Sequence, residues 1–270
     1  MRVAVVTVAA HRDAHLRNHL LALARSERTP DDHVVVAIGD PGTVDVVGTT
    51  PRARPILLPH DNGPLPLAAA RNTGAEAAVD AGADLLIFLD VDCLADPTLL
   101  DRYLAAARTH PTSLLCGPVT YLPAAGPSGY DLRDLRRLRH PHPARPDPPA
   151  GTVRAGTDYD LFWSLSFALT ATTWSRIGGF CTDYTGYGGE DTDFAQTAAK
   201  RGIGLRWVGG ADAYHQHHPV SDPPVEHLRD IIANATVFHR RWGRWPMIGW
   251  LEAFAAQGLI TYDETQQRWV

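Results

Sequence analysis

The sequence predicts an α/β fold with a mostly parallel central sheet flanked by helices, and three observations predict it. Apolar runs that do not alternate, as expected of strands buried on both faces, recur along the amino-terminal half. Segments with helical periodicity lie between them, in the order strand, helix, strand, helix. The strongest run, Leu85-Leu86-Ile87-Phe88-Leu89, ends abruptly in Asp90-Val91-Asp92. In open α/β sheets the carboxyl ends of the strands border the ligand crevice.

Taken in order, Arg2 to Val8 is a β-branched run and a first strand. The turn Ala9-Ala10-His11-Arg12-Asp13 leads to a helix with Leu16, Leu20 and Leu23 on one face. His33 to Ile38 is a second strand, closed by Gly39-Asp40-Pro41-Gly42, and Pro55 to Leu58 is a short third. Leu67 to Ala81 is an alanine-rich helix carrying Arg71-Asn72-Thr73-Gly74, whose small residues permit close packing on the sheet. After the Asp90-Val91-Asp92 turn a helix runs from about Pro97, a tolerated first-turn proline, to Thr109. Leu114 to Tyr121 reads as one further strand.

From Pro123 to Asp158 prolines, glycines and arginines accumulate without an apolar period, which predicts a long flexible loop. Its Arg133, Arg136, Arg137 and Arg139 read as a solvated face sooner than as a phosphate clamp. Phe162 to Leu169 resumes ordered structure, with Trp163 a candidate for the substrate side. A short helix at Trp174 to Ile177 is stopped by Gly178-Gly179. Then Gly186-Tyr187-Gly188-Gly189 opens a helix with Glu190, Asp191 and Asp193 in its first turn. One acid there would simply oppose the helix dipole or cap it. Three acids behind paired glycines and an aromatic predict a site where a ligand approaches the backbone closely. The dipole is expected to keep Asp191 ionised at neutral pH.

Two spacings carry the metal chemistry. Asp90 and Asp92 are i, i+2, so in an extended segment both point to one side, where paired acids suit a hard divalent cation held against nucleotide phosphates. His215 and His217, in Tyr214-His215-Gln216-His217-His218, share a face by the same rule, and the sequence leaves open whether His218 replaces one of them. Mixed imidazole and carboxylate ligation favours manganese or another transition ion over magnesium alone.

Composition excludes more than it specifies. A net charge of −5 gives no general attraction to nucleic acid or to an anionic membrane surface. Lys200 is the sole lysine among basic residues that are otherwise arginine. Cys93, Cys116 and Cys181 form no C-x-x-C pair, so neither a disulfide framework nor a thiolate zinc site is suggested. No apolar run approaches the about 18 residues of a membrane helix. With a strand at the start and no signal peptide, a cytoplasmic protein without an integral membrane segment is expected.

Together, Asp90-Val91-Asp92, Gly186-Tyr187-Gly188-Gly189-Glu190-Asp191 and His215-Gln216-His217 resemble an inverting glycosyltransferase of the GT-A fold. The overall pattern is similar to the family 2 glycosyltransferases, and the glycine–acid motif and histidines resemble the carboxyl-terminal half of the beta-1,4-galactosyltransferases. The resemblance implies a metal-dependent transfer of a hexose from a UDP-sugar, with Mn2+ or Mg2+, to an acceptor that is a small molecule, glycan or peptide. It implies Arg12 near the uridine and diphosphate, Asp40 at the uracil ring, Arg71 beside the donor and Asp90 on the ribose. Asp92, His215 and His217 would ligate the metal. Asp191 would be the general base, Glu190 and Asp193 would orient the acceptor, and Tyr187, Gly188 and Gly189 would meet the sugar. Position 187 is tyrosine where the galactosyltransferases have tryptophan. On this reading residues 1–121 are the nucleotide-sugar half, 122–158 the flexible loop, 159–222 the acceptor and metal half of the same domain, and 223–270 a helical extension.

Other readings of the same residues are a metal hydrolase or nucleotidyltransferase, which would release sugar phosphate or pyrophosphate, and a sugar-nucleotide-binding module without turnover. The tryptophan- and arginine-rich stretch from His239 to Trp250 reads as a packed helix pair, or alternatively as an acceptor platform.

Overall fold

The computed structural model describes residues 1–48 and 50–270. The alternation read from the sequence is present as β1 (Val3–Ala9), α1 (Asp13–Ala24), β2 (Asp32–Ile38), α2 (Pro41–Val47), β3 (Ala53–Leu58), α3 (Leu67–Asp80) and β4 (Leu85–Leu89). There follow β5 (Cys93–Ala95), α4 (Leu99–Thr109), β6 (Ser113–Cys116), β7 (Val119–Tyr121), β8 (Val153–Gly156), β9 (Ser166–Thr170), α5 (Ala171–Ile177) and α6 (Glu190–Lys200). The chain closes with β10 (Gly204–Val208), β11 (Ala213–His215), α7 (Leu228–Trp242), α8 (Ile248–Ala256) and a hairpin of β12 (Tyr262–Asp263) and β13 (Arg268–Trp269).

Eight strands form the main sheet in the order β3-β2-β1-β4-β9-β6-β10-β8. β9 is antiparallel to both of its neighbours and β8 is antiparallel to β10, while every other pair is parallel. The sheet is therefore mostly parallel, as its non-alternating strands predict. From β1 the chain builds outward through β2 and β3, then returns to place β4 on the other side of β1. That reversal is the switch point at which open α/β sheets form their crevice. It brings the turn after β1, with Arg12, beside the turn after β4, with Asp90 and Asp92.

Close packing fixes α3 over this point. A Cβ on Gly74 would lie 2.6 Å from Val6 Cγ1 and 3.1 Å from Val36 Cγ2, so only glycine lets the helix sit this near β1 and β2. Arg71, one turn earlier, is thereby carried to the cleft. Beneath α6 the core is aromatic, with Phe88 stacked on Phe167 at 4.5 Å and Phe180 on Phe194 at 4.2 Å.

Three expectations are corrected. The single strand expected from Leu114 to Tyr121 is two, β6 in the main sheet and β7 in a second sheet of order β5-β11-β7. The break falls at Gly117-Pro118, where a Cβ on Gly117 would lie 2.0 Å from the Ala211 carbonyl and Pro118 has no N–H to donate. The histidine-rich stretch does not end β10. It begins in β11, which pairs with β5 and β7 after a turn at Gly209-Gly210 and ends at His215. Finally, residues 122–158 are held by side chains that no periodicity reveals. Leu122 and Leu135 are buried against Leu94 and Tyr214, Arg136 pairs with Asp96, and Arg139 pairs with Asp147 and Asp212. Arg145 lies buried between the rings of Trp163 and Trp207, 5.2 and 5.0 Å from their centres. No helix among the described residues is long and apolar enough to cross a membrane.

Candidate active site

A cleft of about 790 Å³ opens at the carboxyl ends of β1 and β4. Arg12 and Arg71 line it with Asp90 and Asp92, and His215, His217, His218 and Tyr187 reach it from the second half of the chain. Residues distant in sequence converge there because β5, which begins directly after the Asp90–Asp92 turn, pairs with β11. The amide of Gln216 also donates to the Asp92 carbonyl at 2.7 Å.

Among the described residues one group could hold a metal. The ligand atoms of Asp92, His215 and His218 lie within 4.8 Å of one another. Asp92 Oδ2 is 3.4 Å from His215 Nε2 and 3.6 Å from His218 Nε2. Asp92 Oδ1 is buried without a hydrogen-bond partner, the condition of a carboxylate oxygen built to ligate. Two imidazoles and a carboxylate suit manganese or another transition ion, and these residues fit one. Burial alone would push the Asp92 carboxyl up, but its contacts with His215 and His218 outweigh that and hold it well below the usual carboxylate range. The same contact raises His218 against its partial burial. His217 is a correction: it is exposed, and its backbone N–H takes the Tyr130 hydroxyl as acceptor at 3.0 Å. The two-residue alternation holds only while the chain is extended, and β11 ends at His215.

A second group surrounds Arg71. This buried guanidinium donates to Glu190 Oε1 at 3.0 Å and to Asp90 Oδ1 at 3.3 Å, joining the end of β4 to the start of α6. Desolvation disfavours its charge, but Asp90, Glu190 and Asp191 together raise its affinity for the proton above the ordinary value. Asp90 is pushed up to about 6 by burial, with Arg71 opposing and Asp92 adding. Asp191 departs from expectation. Burial first and the adjacent Glu190 second push it up to about 7, against the Thr192 N–H, Arg71 and the Ser164 N–H. The helix N-terminus does not keep it fully ionised, because a neighbouring carboxylate in a desolvated site outweighs a partial dipole charge.

Other predicted residues are elsewhere or otherwise engaged. Asp40 caps α2, accepting from Gly42 N–H and Thr43 Oγ1, and also accepts from His11 N–H at 2.8 Å; it is not in the cleft lining. Trp163 packs on Arg145 and His142 outside the cleft. Asp193 is buried and accepts from Tyr184, Arg241 and Trp242, so it anchors α7 and not a substrate. Gly188 and Gly189 have φ of +93° and +91°, a region open to glycine. What approaches them is the chain itself: a Cβ would meet Met247 Sδ at 3.0 Å or Tyr184 at 3.3 Å.

The carboxyl-terminal extension supplies residues no motif pointed to. Tyr187 stacks on His227 at 4.4 Å, and its N–H donates to Asp230 Oδ2 at 3.2 Å; His227 and Asp230 both line the cleft. Tyr121 lies 4.7 Å from the His215 ring and supports it.

Comparison with known proteins covers both halves. A family model for glycosyl transferase family 2 matches residues 5–156, and one described as the N-terminal domain of galactosyltransferase matches residues 152–219. The validoxylamine A glucosyltransferase of Streptomyces hygroscopicus subsp. limoneus is 31% identical over 254 residues, covering 79% of this chain and 52% of that protein. The chain thus spans about half the length of this relative. Among solved structures, S. aureus TarS 1-349 superposes with a TM-score of 0.58 at 12% identity, over 87% of this chain and 65% of that one. GalNAc-T7 with UDP, GalNAc and Mn2+ superposes at 0.56 and 13% identity, over 95% and 57%.

Proposed function

Because the chain belongs to glycosyl transferase family 2 and has a fold of the GT-A type, we propose that it moves a hexose from a UDP-sugar to an acceptor hydroxyl, with a divalent metal and inversion at the anomeric carbon. The observation that carries this reading is the meeting, in one cleft, of a metal-type triad with Asp90 and Arg71, which ties the cleft to Glu190 and the adjacent Asp191 at the start of α6. Asp92, His215 and His218 would hold Mn2+, which when bound stabilises charge on a departing diphosphate. The GalNAc-T7 structure, with its UDP and Mn2+, supports that choice of partner and ion by analogy.

The chain's own groups then divide the work. Asp191, at about 7, is a base matched to neutral pH: ionised often enough to act, basic enough to accept an acceptor hydroxyl's proton. Arg71 pairs with Glu190 and Asp90, and Asp191, pushed up to about 7, lies beside them. Asp90, at the end of β4, faces the donor side with Arg12. Tyr187, His227 and Asp230 also line the cleft and would meet the acceptor. No covalent intermediate is required, since one base and a stabilised leaving group suffice for a single displacement.

The test is a product assay with UDP-sugars. UDP-glucose is the first donor and validoxylamine A the first acceptor, after the Streptomyces relative's name. Release of UDP with a new glycoside, dependent on Mn2+, is expected for at least one donor of the panel. Sugar phosphate and UMP as products would replace transfer by hydrolysis, and turnover unaffected by chelation would remove the metal.

A further inference from the structure

Beneath the Asp90–Asp92 turn lies a polar cluster that the reaction does not touch. Thr7 on β1, His19 on α1 and His33 on β2 are all buried, beside strands that are mostly apolar. Thr7 Oγ1 stands 3.1 Å from His19 Nε2, 3.0 Å from His33 Nε2 and 3.0 Å from the Leu89 carbonyl. His19 Nδ1 lies 2.7 Å from the Cys93 carbonyl. These two carbonyls flank the turn: Leu89 immediately precedes Asp90 and Cys93 immediately follows Asp92.

The protons can be placed by elimination. A carbonyl only accepts, so His19 Nδ1–H donates to Cys93. Burial keeps both imidazoles neutral, His19 falling to about 4, so the His19 Nε2 is an acceptor. The one hydroxyl proton of Thr7 serves one of its three neighbours; given to His19 Nε2 or the Leu89 carbonyl, it leaves the Thr7 oxygen to accept from a His33 Nε2–H. The backbone register between β1 and β4 runs from Val3–Leu85 to Val6–Phe88 and ends there. Thr7 thus takes over with its side chain where the ladder stops.

The same helix reaches the other metal-bearing segment. Asn18 donates to Gln216 Oε1 at 2.8 Å, and Gln216 Nε2 donates to the His15 carbonyl at 3.1 Å. Gln216 lies between His215 and His218, and its N–H holds the Asp92 carbonyl. One face of α1 therefore grips both strands of ligands.

We infer that Thr7, His19 and His33, with Asn18 and Gln216, form a positioning network that sets the spacing of Asp92 against His215 and His218. They touch no substrate; they act through the turn. Groups behind metal ligands commonly change metal affinity by about 10–100-fold when removed, because the ligand's orientation is lost while the ligand itself remains. The inference rests on the metal reading given above, and its test separates the two.

Thr7→Val removes the hydroxyl at constant shape and Thr7→Ser restores it. Binding of Mn2+ in the presence of UDP would be followed by electron paramagnetic resonance, and hydrogen exchange read at the Cys93 and Gln216 amides. Expected for Thr7→Val are a tenfold or larger loss of Mn2+ affinity and faster exchange at both amides, with Thr7→Ser close to the parent. Asn18→Ala, a half-buried change on α1 that leaves the core intact, should show a smaller loss of affinity and faster exchange at Gln216; it also serves if Thr7→Val does not fold. A Thr7→Val protein that melts earlier yet binds Mn2+ and exchanges like the parent would overturn the inference and make the cluster ordinary core. Absence of Mn2+ binding by the parent protein would instead defeat the metal reading, while exchange at Cys93 and Gln216 would still decide whether Thr7 sets the turn.

Discussion

The acids that follow β4 and the acids that open α6 make a controlled comparison. Both groups lie in a short motif beside one cleft, yet within each motif the acids have different partners. Asp92 faces two imidazoles and is held ionised, while Asp90, two residues earlier, is shared with Arg71 and pushed up to about 6. Asp191 faces another carboxylate in a desolvated pocket and rises to about 7. Asp193, two residues on, points away into a nest of donors from α7. What assigns the role is the partner across the fold, not the place in the motif. An acid matched by cations or donors is held ionised or anchored, and an acid beside its own kind has its proton affinity raised toward that of a base.

The largest expected effect tests the base. Asp191→Asn preserves the acceptor oxygen that Thr192 N–H uses at 2.7 Å but removes basicity. Transfer should fall by about 10²–10⁴, with Mn2+ and UDP affinity nearly unchanged. In the parent, kcat/KM should rise with pH through about 7, because the base works only when deprotonated. Stability should move the opposite way. A raised carboxyl means the folded chain binds more protons than the unfolded chain between the usual carboxylate range and about 7, so stability falls as pH rises through that window. Asp191→Asn should reduce that fall, leaving the part that Asp90 contributes up to about 6, and melt higher than the parent at pH 8. A mutant with parental transfer and a parental pH profile would move the base elsewhere.

A second pair of changes tests the metal group. His218→Ala should weaken Mn2+ binding by more than about 100-fold, exceeding the usual cost of losing a group behind a ligand. His217→Ala, one residue away and exposed, should stay within about threefold. Titration of Mn2+ by calorimetry reads both. Equal losses would restore the spacing read from the sequence, and no loss at either would dissolve the triad.

The difference between these histidines shows where sequence reasoning stops. The strands, the order of elements and the Asp90–Asp92 turn were legible because each depends on local periodicity, which a buried parallel sheet imposes residue by residue. His215 was legible for the same reason. His218 could only be left open as a replacement, because the chain leaves β11 after His215 and the alternation loses its meaning. Asp191 was legible as a candidate base but not as a titrating one, since burial and a carboxylate neighbour are facts of packing. The ties of residues 122–158 were invisible because an arginine and its aspartate dozens of positions away, as Arg136 and Asp96 are, leave no local pattern. The glycines at 188 and 189 were legible as special backbone, yet what fills the space beside them, Met247 and Tyr184, is decided by an extension without a motif.

The smallest expected effect on turnover concerns Asp193, and it isolates structure from chemistry within one helical turn. Its Oδ1 accepts from Arg241 Nε at 2.7 Å, Trp242 Nε1 at 2.7 Å and the Tyr184 hydroxyl at 3.2 Å. Asp193→Asn keeps the size and the acceptor oxygen but removes the charge opposite Arg241. That arginine's side chain is 39% exposed, so solvent compensates part of the loss. A cost of about 1–2 kcal/mol is expected, below the range for fully buried ion pairs. For a chain of this size that corresponds to a few degrees, at about 2–4 °C per kcal/mol. Because Asp193 is directed at α7, the KM for acceptor and the pH profile should both match the parent at temperatures where the protein is folded. A raised acceptor KM with an unchanged melting temperature would reverse the assignment. Asp193 would then orient the acceptor, and α7 would need another anchor.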